Sequence, residues 1–335
     1  MLKQSLLATA LGCAALVSTQ ACALNIVLTN DDSWSTANIQ ALKTALVADG
    51  HSVLVSAPCT QESGKGGAMN IMKAVPVQTK SDDPDQFCVG DTDTSLAFST
   101  FSEGTPVMAA LYGIDVAAKA KWGSAPDLVI SGPNEGNNLG YLNNNSGTLG
   151  ATMVMLARGI PAIAVSAGTS SGSDSSQAPK IANIVVKLVD QLVSTRPANL
   201  PLLPPHLGLN VNIPDAIDSN LGFKLTDVGW NGGGTELAFS ADMSSSDLIM
   251  QYVAQSLVAA GYASDLQSAL AMAKAMYAGK AGLTMQQGDA GDSAEVSEGV
   301  AVGQGYVTIS TIDGSIQASR AQQAYAQQRL AGLGQ

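Results

Sequence analysis

The sequence predicts an α/β fold built on a doubly wound, mostly parallel sheet. Short apolar runs rich in β-branched residues alternate with apolar positions at helical spacing. The runs lack an exposed polar face, as strands covered by helices on both sides require. Each of the early runs also ends in a polar loop before the next helix, which is where such sheets place their ligands.

The run from Leu24 to Thr29 stops at Asn30-Asp31-Asp32; Ile39, Leu42, Ala45 and Leu46 then recur at helical spacing up to Gly50, and Ser52 to Ser56 is the next strand. Thr105-Pro106 opens a helix reaching about Ala120, with proline in the first turn, where its missing N–H is no loss. Asp127 to Ser131 reads as a strand, Thr148 to Ala157 as a helix and Ala162 to Ser166 as a strand. A Ser/Gly-rich linker follows Gly168, then a helix near Ile181 to Val193, a Pro-rich turn from Pro201 to Pro205, and a strand from Leu207 to Ile213. Phe223 to Phe239 is expected to form a β-hairpin around Gly232-Gly233-Gly234. Asp247 to Ala278 is expected to be helical with a break at Gly261, Gly305 to Thr311 to be the last strand, and Ser315 to Leu333 a terminal helix. There is no tandem repeat.

The chain has 335 residues, 27 acidic against 16 basic, two His and four Cys. A net charge of −11 excludes a sequence-independent binder of nucleic-acid polymers, which needs a basic face. Lys3, the apolar run from Leu6 to Val17 and the exit Ala21-Cys22-Ala23 read as a signal peptide cleaved after Ala23, over the alternatives of an N-terminal anchor helix or a lipoprotein modified at Cys22, where Thr19 stands in place of a Leu. That run is too short to span a bilayer comfortably, so no stable membrane insertion is expected once it is removed. The reading divides the chain into a signal over 1–23 and one domain over 24–335, with an α/β core over 24–215 and the hairpin, helical insertion, last strand and C-terminal helix over 216–335. A periplasmic or secreted location is expected. Cys13 and Cys22 leave with the signal; export and an even remainder favour a disulfide between Cys59 and Cys88 over two unrelated thiols.

Several loops carry residue types suited to chemistry. Asn30-Asp31-Asp32 ends the first strand; adjacent crowded carboxylates call for a cation or a shared proton, although the same residues suit capping of the next helix. The loop Pro58 to Gly67 contains Lys65 but lacks the spacing of a phosphate-binding P-loop. Ser131 to Asn138 offers amide oxygens and close backbone approach. Asn145 to Gly150 runs into a helix start, where free N–H groups favour an anion. His51 and His206 fall at structural positions. No Gly-x-Gly-x-x-Gly follows the first strand, which removes a dinucleotide dehydrogenase.

Taken in order, Leu28-Thr29-Asn30-Asp31-Asp32, Ala57-Pro58 to Ser63-Gly64, Gly104-Thr105-Pro106, Pro126 to Asn134, Ser146-Gly147-Thr148 and Gly159 to Ser166 resemble the SurE family of stationary-phase survival proteins. Leu209 to Pro214 and Gly305 to Ile309 extend the resemblance over most of 24–313. It implies a Rossmann-like fold with a C-terminal hairpin and helical extension, and a metal-dependent 5′/3′-nucleotidase or acid phosphatase acting on small phosphomonoesters. It implies one divalent ion per subunit, magnesium or manganese, held by Asp31, Asp32, Ser63 and Asn134, with Asp31 and Asp32 catalytic. Asn30, Ser146, Gly147 and Thr148 match the segments beside the phosphate, and a homo-oligomer, dimer or tetramer, is expected. Ser33 stands where the family usually has Gly, Pro133 replaces an aliphatic residue, Asn145 replaces an aromatic or His, and Thr105-Pro106 lacks a following Asp-Cys. The stretch from Met243 to Gln287 lacks the usual aromatic segment, which bears on base preference and subunit arrangement. An exported nucleotide- or phosphate-binding protein without turnover is the alternative, and the intact Asp31, Asp32, Ser63 and Asn134 favour the enzyme.

Overall fold

The structure is a computed structural model that describes residues 23–97, 99–288, 292 and 296–333. The expected signal peptide, with Cys13 and Cys22, lies outside the described residues except for Ala23. Among the described residues no helix is long and apolar enough to cross a membrane.

The first half winds as β1 (Asn25–Thr29), α1 (Ala37–Ala48), β2 (Ser52–Pro58), β3 (Val77–Lys80), β4 (Asp83–Val89), α2 (Pro106–Tyr112) and α3 (Ala118–Trp122). It continues through β5 (Leu128–Glu135), α4 (Gly147–Ala157), β6 (Ala162–Ala167), α5 (Ala178–Thr195) and β7 (Leu207–Ile213). Beyond lie β8 (Phe223–Thr226), β9 (Thr235–Ser240), α6 (Asp247–Ala259), α7 (Leu266–Tyr277), β10 (Gly282–Gln287), α8 (Glu298–Gly303), β11 (Val307–Asp313) and α9 (Arg320–Arg329). Nine described strands form one sheet in the order β3-β4-β2-β1-β5-β6-β7-β11-β8. Strands β4, β2, β1, β5, β6 and β7 run parallel; β3 and β11 are antiparallel to their neighbours β4 and β7.

Alternation along the strands divides the core into two layers. Ile26 and Leu28 face Ile39, Leu42 and Leu46 of α1 and Ile181, Val185 and Val189 of α5. Val27, Leu54 and Val129 face Ala110 and Ile114 on one neighbour and Met155 and Leu156 of α4 on the other. Thr105 caps α2 by accepting from the Met108 amide, and the helix passes through a π-turn at Gly113–Ala117 into α3. Chain connection reverses at β1, which pairs with β2 on one side and β5 on the other. The crevice between the carboxyl ends of β1 and β5 is therefore the topological switch point, the ligand position of such sheets.

Two expectations are corrected. Phe223 to Phe239 is not a hairpin: β8 pairs in parallel with β11, while β9 pairs antiparallel with β10 in a separate two-stranded sheet. The glycine turn does form, with Asn231 Oδ1 accepting from the Gly233 and Gly234 amides. However, extended propensity does not choose a partner, and the better ladders come from strands much later in the chain. The terminal helix is also shorter than Ser315 to Leu333. Asp313 and Ser315 take the amides of Ser315 and Gln317 in local turns, and a capping box between Ser319 and Gln322 sets the start at Arg320.

Cys59, just past β2, and Cys88 in β4 form a disulfide. It ties the base of the loop after β2 to the neighbouring strand across a separation of 29 residues. Replacing both cysteines by alanine is expected to lower unfolding free energy by roughly 3 kcal/mol, since a loop of this length restrains the unfolded chain. Urea melts of oxidised wild type and the double variant check this, and a non-reducing peptide map should recover the two cysteine peptides joined.

Candidate active site

Asp31 and Asp32 leave the end of β1 at the switch point, and both are buried. Neither caps α1, whose N-cap is Thr36. Instead, Asp31 Oδ1 accepts the Thr148 hydroxyl at 2.7 Å, and Asp32 Oδ2 accepts the Glu135 amide at 2.7 Å. The pair thus holds the first turn of α4 and the end of β5. Asn30 is fully buried; its Oδ1 accepts the Asp31 amide at 2.9 Å, and its Nδ2 lies 3.4 Å from Thr36 Oγ1.

Asn134 reaches the crevice because β5 does not stop at Ser131. Its register against β6 shifts between Ser131 and Asn134, which re-aims the strand end. Gly132 makes this possible: at φ +116°, a Cβ there would lie 2.0 Å from the Val165 carbonyl oxygen. The Asn134 Nδ2 donates to the Gly136 carbonyl at 2.7 Å, which orients the amide, and its buried Oδ1 has no hydrogen-bond partner. An orphaned amide oxygen is costly in an interior, and a hard cation is one group that would satisfy it.

The aspartates point the same way. Burial pushes Asp31 above the usual carboxylate range, against the hydroxyl and amide of Thr148. Burial pushes Asp32 up to about 7, with the Asp31 charge adding to it. No described Lys, Arg or His forms an ion pair with either. Among the described residues there is no group of three His, Cys, Asp or Glu placed to hold a metal. Two carboxylates and an amide oxygen nonetheless form an oxygen-only donor set, which fits a hard divalent ion.

The other expected residues are placed less simply. The loop after β2 is anchored by the Glu62 amide on the Asp31 carbonyl at 2.7 Å, but Ser63 is exposed and its Oγ accepts from Gln61. Ser63 makes no hydrogen bond to either aspartate. Lys65 pairs with Glu103 at 2.9 Å and lies 3.9 Å from Glu62. Ser146 is the N-cap of α4, accepting from the Leu149 amide at 3.2 Å. The Thr148 hydroxyl is held between Asp31 and Asn138 rather than open to a ligand. Gly147 lies so near Asp31 that a Cβ would be 2.8 Å from the aspartate's own Cβ. The N-terminus of α4 therefore abuts the carboxylate pair. His51 accepts the Leu24 amide and His206 lies 2.8 Å from the Leu156 carbonyl, both remote from these contacts.

Two participants were not singled out from the sequence. Asn138 donates to Thr148 Oγ1 and Ser166 Oγ, while its own amide and carbonyl are held by Asn212. Glu135 is half-buried beside Asp32, and burial raises its pKa. The repeated asparagines after Ser131 were the only signal for the first; the second has none beyond its place next to Asn134.

A sequence model of the family described as "Survival protein SurE" matches residues 26–233. An acid phosphatase of Yarrowia lipolytica is 35% identical over 215 residues, 60% of this chain and 60% of that protein. The 5′-nucleotidase SurE of Methanosphaera stadtmanae is 32% identical over 61% of this chain and 78% of its own. That of Geobacter metallireducens is 34% identical over 59% and 68%. The crystal structure of the SurE protein from Aquifex aeolicus superposes with a TM-score of 0.63 at 25% identity, covering 92% of this chain and 99% of that one.

Two stability changes follow from this geometry. Ser33 has φ +94°, a backbone region that favours glycine. Ser33→Gly is expected to raise stability by up to about 1 kcal/mol in urea unfolding. Asp32 holds a proton in the folded state at pH values where the unfolded chain has released it, so the metal-free protein loses stability as pH rises from about 4 to about 7. Asn cannot titrate. In chelator, Asp32→Asn should match wild type near pH 4 and exceed it by up to about 4 kcal/mol near pH 8. Equal stabilities at both values would contradict the burial argument.

Proposed function

The chain belongs to the SurE family, and from that premise we propose that it is a metal-dependent phosphomonoesterase hydrolysing nucleoside 5′- or 3′-monophosphates or similar small phosphate esters. The observation that carries the reading is the orphaned Asn134 Oδ1, one residue before the Glu135 amide that holds Asp32, together with two buried carboxylates that no described cation pairs. Asp31, Asp32 and Asn134 would hold one magnesium or manganese ion, with Ser63 joining after a turn of its exposed side chain. When bound, such an ion supplies positive charge to the phosphoryl oxygens.

The chain's own groups supply the rest. The first amide of α4, at Gly147, stands at the positive end of an 11-residue helix and favours the remaining phosphoryl oxygens, while the Thr148 amide stays on Asp31. Thr148 fixes Asp31 through its hydroxyl, and the Glu135 amide fixes Asp32, so neither carboxylate needs to reorganise when substrate arrives. Steering of the attacking water falls to Asp32, because the more deeply buried Asp31 is engaged by Thr148. The leading apolar segment supports release of the mature chain outside the cytoplasm. Exposed Phe239, Tyr252 and Leu283 around the small sheet support a homo-oligomer.

The test is phosphate release from 5′-AMP, 3′-AMP and p-nitrophenyl phosphate with manganese, magnesium or EDTA. Release should require the metal and fall at least about 100-fold in Asp31→Asn. Nucleotide binding without release under either metal would replace the enzyme by a binding protein.

A further inference from the structure

The Glu298 carboxylate is fully buried at the start of α8, far in sequence from every residue of the candidate site. Its two oxygens face different parts of the molecule. Oε1 accepts from the Gly140 amide at 3.0 Å and Asn143 Nδ2 at 2.8 Å, both in the 3-10 turn Gly140–Asn145. Oε2 accepts from Asn210 Nδ2 of β7 at 2.9 Å and from Ser310 Oγ of β11 at 2.8 Å. Four donors converge on one carboxylate, the arrangement that offsets the loss of its hydration.

The turn that Glu298 grips ends at Ser146, the N-cap of α4, and so leads directly into Gly147 and Thr148. Outside its local bonds and Glu298, the turn is tied by the Tyr141 hydroxyl to Thr235 and Leu237 of the small sheet. Among the described residues, only Glu298 hydrogen-bonds it to the strands that also hold Asn138, since Asn210 and Asn212 both donate to the Asn138 carbonyl. Asn138 in turn holds Thr148. The same sheet edge thus positions the turn and the hydroxyl that fixes Asp31. There is little slack at this junction, because Gly147 abuts Asp31 and Pro106.

We infer that Glu298 is a positioning residue that sets the N-terminus of α4 against Asp31 and Asp32, acting through the Gly140–Asn145 turn without touching substrate. The inference rests on the phosphatase reading for its effect on rate, but the strut itself is testable without turnover. Misplacing a reactive arrangement by about an ångström can cost on the order of 100-fold. Removal of the carboxylate by Glu298→Ala should lower kcat on p-nitrophenyl phosphate by about 10- to 100-fold. Manganese affinity, measured calorimetrically, should fall less than kcat does, because the expected ligands lie outside the turn and only Asp31 is fixed from α4. Amide exchange over 140–149 should rise while that of β1 does not.

Glu298→Gln separates position from charge. Its Oε1 remains for Gly140 and Asn143; its Nε2 donates to Ser310 Oγ, whose hydroxyl turns to Thr226, and to the otherwise unpartnered Asn210 Oδ1 once the Asn210 amide turns over. This variant should keep near wild-type kcat and turn protection. A folded Glu298→Ala with wild-type kcat and wild-type exchange over 140–149 would overturn the inference. If that variant does not fold, Asn143→Ala removes only the side-chain bond on the turn side; wild-type kcat and exchange there would overturn it equally. If the wild type releases no phosphate, the phosphatase reading fails, and the exchange comparison alone decides the strut.

Discussion

Two adjacent carboxylates are buried at the end of the first strand, and much of the surrounding structure is arranged around that unfavourable burial. The Thr148 hydroxyl on Asp31, and the Glu135 amide and Asn30 side chain on Asp32, each answer part of it. They come from three stretches of chain, and each is fixed by a strand or helix terminus. The remaining deficit is positive charge, which the described cations do not supply. The same constraint that lowers the stability of the metal-free chain is the one that a bound divalent ion would relieve under the proposed function.

The sheet makes the arrangement possible. Parallel strands covered on both faces end together, and the reversal of connection at β1 leaves a crevice between its end and that of β5. Thr29 lies opposite Ser131, so the residues following both strands enter the same space. The bulge after Ser131 then shifts the register of Asn134 against β6, at a glycine that the Val165 carbonyl leaves no room to replace. Asparagine side chains extend the network across β6 and β7, where Asn138 bonds to Ser166 and Asn212. A polar network of this kind orders loops that apolar packing alone does not specify.

Much of the first half of the fold was legible from residue pattern, because strand, loop and helix alternate there. The Asp pair and Asn134 were legible as residue types at strand ends, and the resemblance to SurE gave them an order. The later half was less legible. Phe223 to Phe239 carries every local mark of a hairpin, yet β8 and β9 each find a partner that the intervening turn does not specify. Thr148 was legible as part of a helix start, but its hydroxyl serves Asp31 rather than an incoming anion.

The sequence by itself determined the fold class, the family and the chemical character of the loops. Those properties depend on short-range patterning of apolar residues and on which polar side chains follow each strand. Tertiary structure alone decided which oxygens are left without partners, how strongly burial acts on Asp31 and Asp32, and how Glu298 reaches the turn before Ser146. Desolvation and hydrogen bonding are set by what surrounds a group in space. Residues more than a hundred positions apart supply those surroundings here, and no local pattern encodes them.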